Sequence, residues 1–224
     1  MPWFDREIFW PTLVPPTAAQ IAANDQMRDG WKASVRNGNW DAQSEVALEE
    51  ARRMYDAEQE RRKGADTKAG VYLAAVTALI PVLVSLLPSL WSEKASKVLG
   101  ALSLTVFAIA VIYVLRAGYS AFCVLRVSAA NTVGATDISQ TWDTSQPVAS
   151  LAKNIAIKVI DNYPGNNAKV SHIKLAHGYL LRSFFVFALL LAVQALWPSA
   201  AWVVEEVTKL MAPAVRQPLM MCYS

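Results

Sequence analysis

Cysteine and histidine are both scarce in this chain, which has two of each among 224 residues. Cys123 and Cys222 lie far apart and lack any metal-binding spacing, so we expect two free thiols. His172 and His177 are five residues apart, which places them on different faces of a helix and favours surface positions over metal ligation. The sequence therefore predicts neither a metal site nor a bound cofactor.

Motifs for catalysis and phosphate binding are also missing. The chain has no glycine-rich phosphate loop and none of the patterns HExxH, CxxC or GxSxG. We therefore expect that the protein is not an enzyme, and we expect no nucleic acid among its partners.

Charge is absent from three long stretches, residues 69–92, 98–115 and 183–204. A bilayer core about 30 Å thick needs roughly 20 apolar residues of helix, and all three stretches are near that length. The second stretch is the shortest, but it can extend to Leu125 if the Arg116 side chain snorkels. The alternative is a soluble all-α protein with buried helices, which is disfavoured because such helices usually keep a polar stripe.

Aromatic residues mark the ends of these stretches, as expected for side chains at the two membrane interfaces. They are Trp91, Tyr113, Tyr119, Tyr179, Trp197 and Trp202. The sequence predicts an all-α integral membrane protein with three transmembrane helices and cytoplasmic helical segments, and the lipid bilayer is its first partner.

The distribution of Lys and Arg predicts the orientation. Residues 1–68 have ten of them and 116–182 have seven, whereas 92–97 and 205–224 have two each. The positive-inside rule then places the N-terminus in the cytoplasm and the C-terminus outside, in the periplasm if the membrane is a bacterial inner membrane. Since the start of the chain has neither a basic nor an apolar signal region, the first membrane helix is expected to direct insertion.

The same patterns divide the chain into six parts. They are an irregular Trp-rich cytoplasmic segment at 1–43, a charged cytoplasmic helix at 44–66, a transmembrane hairpin at 67–119, a cytoplasmic loop with an amphipathic helix at 120–176, a third transmembrane helix at 177–204 and an external tail at 205–224.

Breakers and apolar periodicity refine the cytoplasmic parts. Prolines, glycines and asparagines favour irregular structure throughout 1–43. The Ser/Thr-rich residues 131–146 are expected to form a loop, and Pro147 is expected to open an amphipathic helix with apolar residues at i, i+3 and i+4 spacing. The run Asn-Tyr-Pro-Gly-Asn at 162–166 predicts a turn before the third membrane helix.

The first membrane helix has small residues along one face. In lipid, such a face allows close approach of helix backbones. It favours packing against the other two membrane helices of the same chain, and the alternative is self-association of several chains, with or without a pore. The face comprises Gly70, Ala74, Thr77, Ala78, Pro81, Ser85 and Pro88.

Charged residues cluster where the first membrane helix enters the bilayer. A basic interfacial anchor explains the positive side chains but leaves Asp66 unexplained, because a carboxylate at a partly dehydrated interface needs a partner to stay charged. We expect Asp66 to pair with a Lys or Arg of its own chain or of a neighbouring chain. The candidate binding residues of this helix-entry motif are Arg61, Arg62, Lys63, Asp66 and Lys68.

This entry motif resembles that of a known group of proteins. The arginines followed by Asp66-Thr67-Lys68-Ala69-Gly70 resemble the D-x-K-A signature of small bacterial membrane effectors, the Pycsar transmembrane effectors and more distantly the SLATT proteins of anti-phage defence. The likeness covers roughly residues 50–120. It extends more loosely over 150–197, where an asparagine-rich turn and Lys169 precede the next membrane helix.

The resemblance implies a function that the residues alone do not indicate. In these families a nucleotide second messenger is thought to trigger the effector, which then assembles in the inner membrane and breaks the permeability barrier. The expected partners are further copies of the chain and a cyclic-nucleotide or protein trigger. A non-catalytic membrane adaptor for a cytoplasmic partner remains the alternative, and a transporter is disfavoured because no ionisable group lies in mid-membrane.

Overall fold

All regular structure in the described part of the chain is helical. The computed structural model describes residues 10–90, 97–126 and 130–211. The helices are α1 (Ala18–Asn37), α2 (Ser44–Leu90), α3 (Lys97–Leu125), α4 (Ala135–Trp142) and α5 (Pro147–Met211), and a 3-10 turn (Asp41–Gln43) precedes α2.

Helices α2, α3 and α5 are each long and apolar enough to cross a membrane, which confirms an all-α membrane protein with three candidate spans. Much of their apolar surface faces outward in the monomer. Phe184 and Leu196 of α5 each expose 67% of their surface, and Val84 of α2 exposes 59%. A soluble protein would bury such side chains, whereas lipid accepts them without cost. The alternative of buried helices in a soluble protein is therefore excluded.

Two of these helices extend far beyond any bilayer. Helix α2 has 47 residues and α5 has 65, which correspond to lengths of roughly 70 and 100 Å. Only about 30 Å of each is needed to cross the apolar core. Each helix therefore joins an extramembrane half to a membrane half without an intervening loop.

The three long helices pack side by side. Helices α2 and α5 are parallel, because Glu58 contacts Asn166 and, further along both helices, Tyr72 contacts His177. Helix α3 is antiparallel to them. All three helices contribute to one buried cluster. It comprises Val76 and Leu83 of α2, Phe107, Tyr113, Val114 and Ala117 of α3, and Tyr179 and Leu190 of α5.

A second apolar core lies in the extramembrane halves of α2 and α5. Leu151, Ala152 and Ile155 of α5 pack on Ala51 of α2, with Trp40 at the edge of the cluster. This confirms the amphipathic face that was predicted after Pro147, which is the first residue of α5.

Residues 18–37 are helical, so the prediction of an irregular segment over 1–43 is wrong for this part. Thr17 caps α1 in a capping box with Gln20, and such a box supplies partners for the first free backbone N–H groups. The breakers Asn24 and Gly30 lie inside the helix. Since an internal glycine costs only about 1 kcal/mol relative to alanine, packing of α1 on α5 is sufficient to offset it.

The predicted loop at 131–146 and the predicted turn at 162–166 are also corrected. Helix α4 occupies Ala135–Trp142, where the Asp137 carboxylate accepts a hydrogen bond from the Gly134 N–H at 2.9 Å. Helix α5 continues through Pro164. A proline inside a helix costs on the order of 3 kcal/mol, and the neighbouring asparagines bond to other elements, which offsets this cost.

The N-terminal residues run antiparallel to α5 and follow it from the membrane edge outward. The Tyr179 hydroxyl donates a hydrogen bond to the Pro11 carbonyl at 2.6 Å. Farther along, the Trp31 and Tyr163 rings meet edge to face at 6.3 Å. We call residues 10–17 the N-terminal strap. Its Trp10 ring packs on Tyr179 at 5.9 Å, and Trp31 and Trp40 also contact other helices. Trp3 lies outside the described residues.

Candidate functional site

Polar side chains connect α2 and α5 where both helices approach the membrane. We call this cluster the polar seam. It comprises Glu58, Arg61 and Asp66 of α2, and Asn166, Asn167 and Lys169 of α5.

Asp66 forms the ion pair of the seam, at its membrane end. Its Oδ1 lies 2.6 Å from the Lys169 Nζ, and the Lys169 side chain is only 8% exposed whereas that of Asp66 is 37% exposed. A buried ammonium group without a carboxylate leaves a large desolvation cost unmet. The sequence left the partner of Asp66 open between its own chain and a neighbour, with the resemblance favouring a neighbour. In the structure the partner is Lys169 of the same chain.

The outer part of the seam is a network of hydrogen bonds. The Asn166 amide donates to the Glu58 Oε1 at 2.9 Å, and the same oxygen lies 3.3 Å from the Arg61 Nη1. Arg61 also donates to the Asn167 side chain, and its guanidinium lies 5.6 Å from the centre of the Tyr163 ring. Buried Asn166 and half-buried Arg61 are thus held by partners on both helices, which fixes the register between α2 and α5.

The helix-entry motif divides into two groups. Arg61 and Asp66 face α5 and belong to the seam, and Arg62 is half-buried beside them. Lys63 and Lys68 are exposed, as an interfacial anchor requires. The motif therefore combines an internal contact with a surface that can meet lipid headgroups.

The small-residue face of α2 does not pack inside the monomer, so the favoured prediction of packing within the chain is wrong. Gly70, Ala74, Ala78 and Ser85 are all exposed, as are Thr77, Pro81 and Pro88. A Cβ built on Gly70 would meet nothing within 4 Å. The bundle is contacted by the opposite side of α2, through larger side chains such as Val76 and Leu83.

A groove of about 340 Å³ lies between α1 and α5, next to the seam. Trp31 and Tyr163 supply its aromatic walls, and Asn167 connects it to Arg61. Arg28 also lines the groove and pairs there with Asp25 of its own helix. Aromatic faces beside a guanidinium and carboxamides suit a planar polar ligand.

The histidines occupy different environments. His177 is exposed and its Nδ1 lies 3.2 Å from the Tyr72 hydroxyl. His172 is half-buried, which corrects its predicted surface position, and burial lowers the pKa of its imidazole. Its buried Nδ1 has no hydrogen-bond partner among the described residues. The described ranges also contain no group of three or more His, Cys, Asp or Glu side chains placed to hold a metal ion.

Sequence reasoning did not connect three members of the seam, Asn166, Asn167 and Lys169 of α5, to the entry motif. Lys169 precedes the third membrane helix in the part of the chain that resembles the effectors more loosely, but nothing in the sequence pairs it with Asp66, 103 positions earlier. The available signal is physical. Asp66 and Lys169 have charges of opposite sign and lie near the membrane ends of the extramembrane halves of two parallel helices.

Comparison of the chain with protein-family models, with curated proteins and with solved structures finds no match in any of the three. The candidate site is therefore interpreted from its own residues and geometry.

Proposed function

We propose that this protein is a membrane effector of bacterial anti-phage defence. When triggered, it self-associates in the inner membrane and disrupts the permeability barrier. The proposal is supported by the exposed small-residue face of α2, by the rigid connection between the extramembrane and membrane halves, and by the resemblance of the helix-entry motif.

The observation that carries this proposal is the position of the small-residue face. It runs from Gly70 to Pro88 on the side of α2 that the bundle leaves uncovered. Its hydroxyl groups donate hydrogen bonds within the helix and need no partner in the lipid. Thr77 donates to the Leu73 carbonyl at 2.9 Å, and Ser85 donates to the Val82 carbonyl at 2.7 Å. A small, internally satisfied face in the bilayer is suited to close contact with the helix of another copy.

The polar seam supplies a route from trigger to membrane. Because α2 and α5 are continuous helices held in register by the seam, a displacement in their extramembrane halves reaches the membrane halves as a rigid-body movement. A trigger that binds the extramembrane region and prefers one register would thereby bias the exposed face toward or away from self-association.

The groove between α1 and α5 is the candidate trigger site. Trp31 and Tyr163 offer stacking surfaces for a base, and the Asn24 and Asn167 carboxamides offer hydrogen bonds to its polar edge. These features suit a nucleotide better than an extended peptide as the trigger. The alternative trigger for the proposed effector is a protein. The proposed orientation, with the N-terminus inside, places this groove in the cytoplasm.

Fusion reporters test that orientation. Alkaline phosphatase or green fluorescent protein fused after Ser224 is expected to give an active phosphatase and no fluorescence. A fluorescent tail without phosphatase activity would show that the C-terminus is cytoplasmic.

Induced expression with a membrane-potential dye tests the function. We expect depolarisation by the wild-type chain in the presence of its neighbouring genes, and loss of depolarisation in Ala74→Leu and Ala78→Leu. Ala75→Leu is the matched control, because Ala75 is also exposed but lies about 100° around the helix from Ala74. Equal depolarisation by all three variants would remove the role of the small-residue face.

The alternative function is a membrane adaptor that binds a cytoplasmic protein. It is favoured by the outer surface of α4, where Trp142 is 63% exposed and Ile138 is 45% exposed beside a shallow depression. Affinity capture from cells, repeated with Trp142→Ala, separates the two functions. Loss of a captured protein without any effect on depolarisation would favour the adaptor.

A further inference from the structure

We propose that α1 is a lid that docks reversibly on α5, and that filling the groove between the two helices holds the lid in place. This groove, of about 340 Å³, is the candidate trigger site, so the inference concerns the regulation of that site. The role of the lid in triggering rests on the proposed function. Its reversible docking is a property of the ligand-free protein and is measured without a trigger.

Helix α1 is held by little buried surface. None of its 20 residues is buried. Its half-buried residues are Arg28, Lys32 and Val35, of which Val35 alone is apolar. The extramembrane half of α5, in contrast, buries Leu151 and Ile155 against α2. Because packing of an apolar face supplies most of the stability of a helix in a protein, α1 is held far more weakly than α5.

Polar contacts supply much of the docking of α1. The Lys32 ammonium pairs with the Asp161 carboxylate of α5, and the two side chains are 22% and 28% exposed. The Lys153 Nζ of α5 donates to the Arg36 carbonyl in the last turn of α1 at 3.1 Å. Partly exposed ion pairs contribute modestly to stability and are screened by salt. The docking should therefore weaken as the ionic strength rises.

The large apolar side chains of α1 line the groove and remain exposed there. Ile21, Met27 and Trp31 are 47%, 46% and 42% exposed. Tyr163 and Pro164 of α5 line the groove opposite them. A molecule in the groove would contact both walls and would add the apolar contact that the docking lacks. Since the site needs both helices, a ligand that fills it stabilises the docked position by mass action.

The lid is tethered at both ends. On one side Trp10 packs on Tyr179 at the membrane edge at 5.9 Å, and residues 12–17 between this anchor and α1 are exposed and have no regular structure. On the other side residues 38–39 connect α1 to Trp40, which packs at the edge of the outer core. Short segments at the ends of an element can absorb its movement. Helix α1 can therefore leave α5 while both tryptophan anchors stay in place.

The test is hydrogen–deuterium exchange, read by mass spectrometry, of the full-length protein in lipid nanodiscs without a ligand. An undocked helix of this length is marginally stable in water, so undocking exposes its amides to exchange. We expect α1 to exchange at least about tenfold faster than residues 149–156 of α5, and to accelerate when sodium chloride is raised from about 0.1 M to about 0.5 M. Exchange of α1 as slow as that of residues 149–156, or insensitivity of α1 to salt, would overturn the proposal.

A pair of variants tests the ion pair. Lys32→Gln should accelerate the exchange of α1 by about threefold, and it changes helix propensity little because lysine and glutamine are similar helix formers. Arg53→Gln is the matched control, since it removes the same charge from exposed ion pairs within α2, and it should leave the exchange of α1 unchanged. Equal acceleration in both variants would assign the effect to net charge and refute the contact with Asp161.

A second pair of variants fills the groove from within. Asn24 is exposed and lines the groove, so Asn24→Leu adds apolar volume there and should slow the exchange of α1 by about threefold relative to Asn24→Ala. Helix propensity alone would give the opposite order, because alanine is the better helix former. Exchange in Asn24→Leu as fast as in Asn24→Ala would show that filling the groove does not hold the lid. The expected rates in a protein that does not depolarise membranes would confirm the lid and refute only the proposed function.

Discussion

The two sides of α2 differ sharply within the membrane. The side that faces the bundle has large apolar residues, with Val76 and Leu83 only 7% and 6% exposed. The opposite side has small residues that are exposed in the monomer, among them Ala74 and Ala78. Small residues in a membrane helix therefore mark where a close contact is available, and that contact need not be within the chain.

This difference also explains why the bundle is stable without the small face. Alanines at α3 positions 110, 117 and 121 are fully buried, so the close approach of the three helices is provided by α3. Large side chains from α2 and α5 then fill the space beside those alanines. Gly118 supports this arrangement, because a Cβ there would lie 3.3 Å from the Val76 side chain.

Removing volume from the buried side of α2 should have the largest effect. Leu83→Ala leaves a cavity in the membrane cluster, and we expect a loss of about 2–4 kcal/mol in the free energy of unfolding. The measurement is a titration with sodium dodecyl sulfate in mixed micelles. Leu87→Ala is the matched control on the same helix, because Leu87 is 42% exposed. A Leu87→Ala loss as large as that of Leu83→Ala would show that the loss does not depend on burial of Leu83 in the membrane cluster.

Breaking the seam ion pair should have the next largest effect. Asp66→Asn leaves the buried Lys169 ammonium without its carboxylate, and we expect a loss of about 1–3 kcal/mol in the free energy of unfolding. Replacing both residues, as in Asp66→Asn/Lys169→Met, should recover part of that loss. Lys68→Gln, at an exposed position of the same motif, should change stability little.

The swap of charges makes the ion-pair prediction specific to one partner. Asp66→Lys/Lys169→Asp should restore stability relative to either single variant, because the attraction is kept with its sign reversed between helices. Asp66→Lys/Lys68→Asp should not. If the second swap rescues stability and the first does not, Lys169 is not the functional partner of Asp66.

Adding volume to the exposed side of α2 should affect assembly and leave the monomer intact. Ala78→Leu places a larger side chain on the face proposed to meet another copy, and overpacking of such a contact costs on the order of 1–3 kcal/mol. Chemical crosslinking in membranes should show fewer oligomers for Ala78→Leu and for Ala74→Leu than for Ala75→Leu, because Ala75 lies about 100° around the helix from Ala74 and outside the small-residue face. The unfolding curve of each monomer should match that of the wild type, since all three positions are exposed. An unchanged oligomer distribution would make this side of α2 a lipid-facing surface.

The helices of the membrane region can be predicted from sequence, because an uncharged apolar run of about 20 residues matches the thickness of a bilayer core. The extramembrane region is less predictable. Pro164 and Gly30 are local breakers, yet tertiary contacts of Asn166 and Trp31 hold them in helices. The polar seam could be predicted in part. A carboxylate at the membrane edge needs a cationic partner, so a partner for Asp66 was expected, but its identity as Lys169 depends on the register of two parallel helices. That register is fixed by packing of residues more than 100 positions apart.

The smallest expected effect comes from the half-buried His172. Because burial lowers the pKa of this imidazole in the folded state, the unfolded chain binds a proton more readily than the folded one. Stability should therefore be unaffected well above the ordinary pKa of about 6.5 and should fall as the pH drops below it, until the folded-state pKa is reached.

His172→Gln should flatten the pH dependence of the unfolding midpoint between about pH 5.5 and 7.5, where histidine titrates and most carboxylates do not. A slope that is unchanged in His172→Gln would show that His172 is not the titrating group.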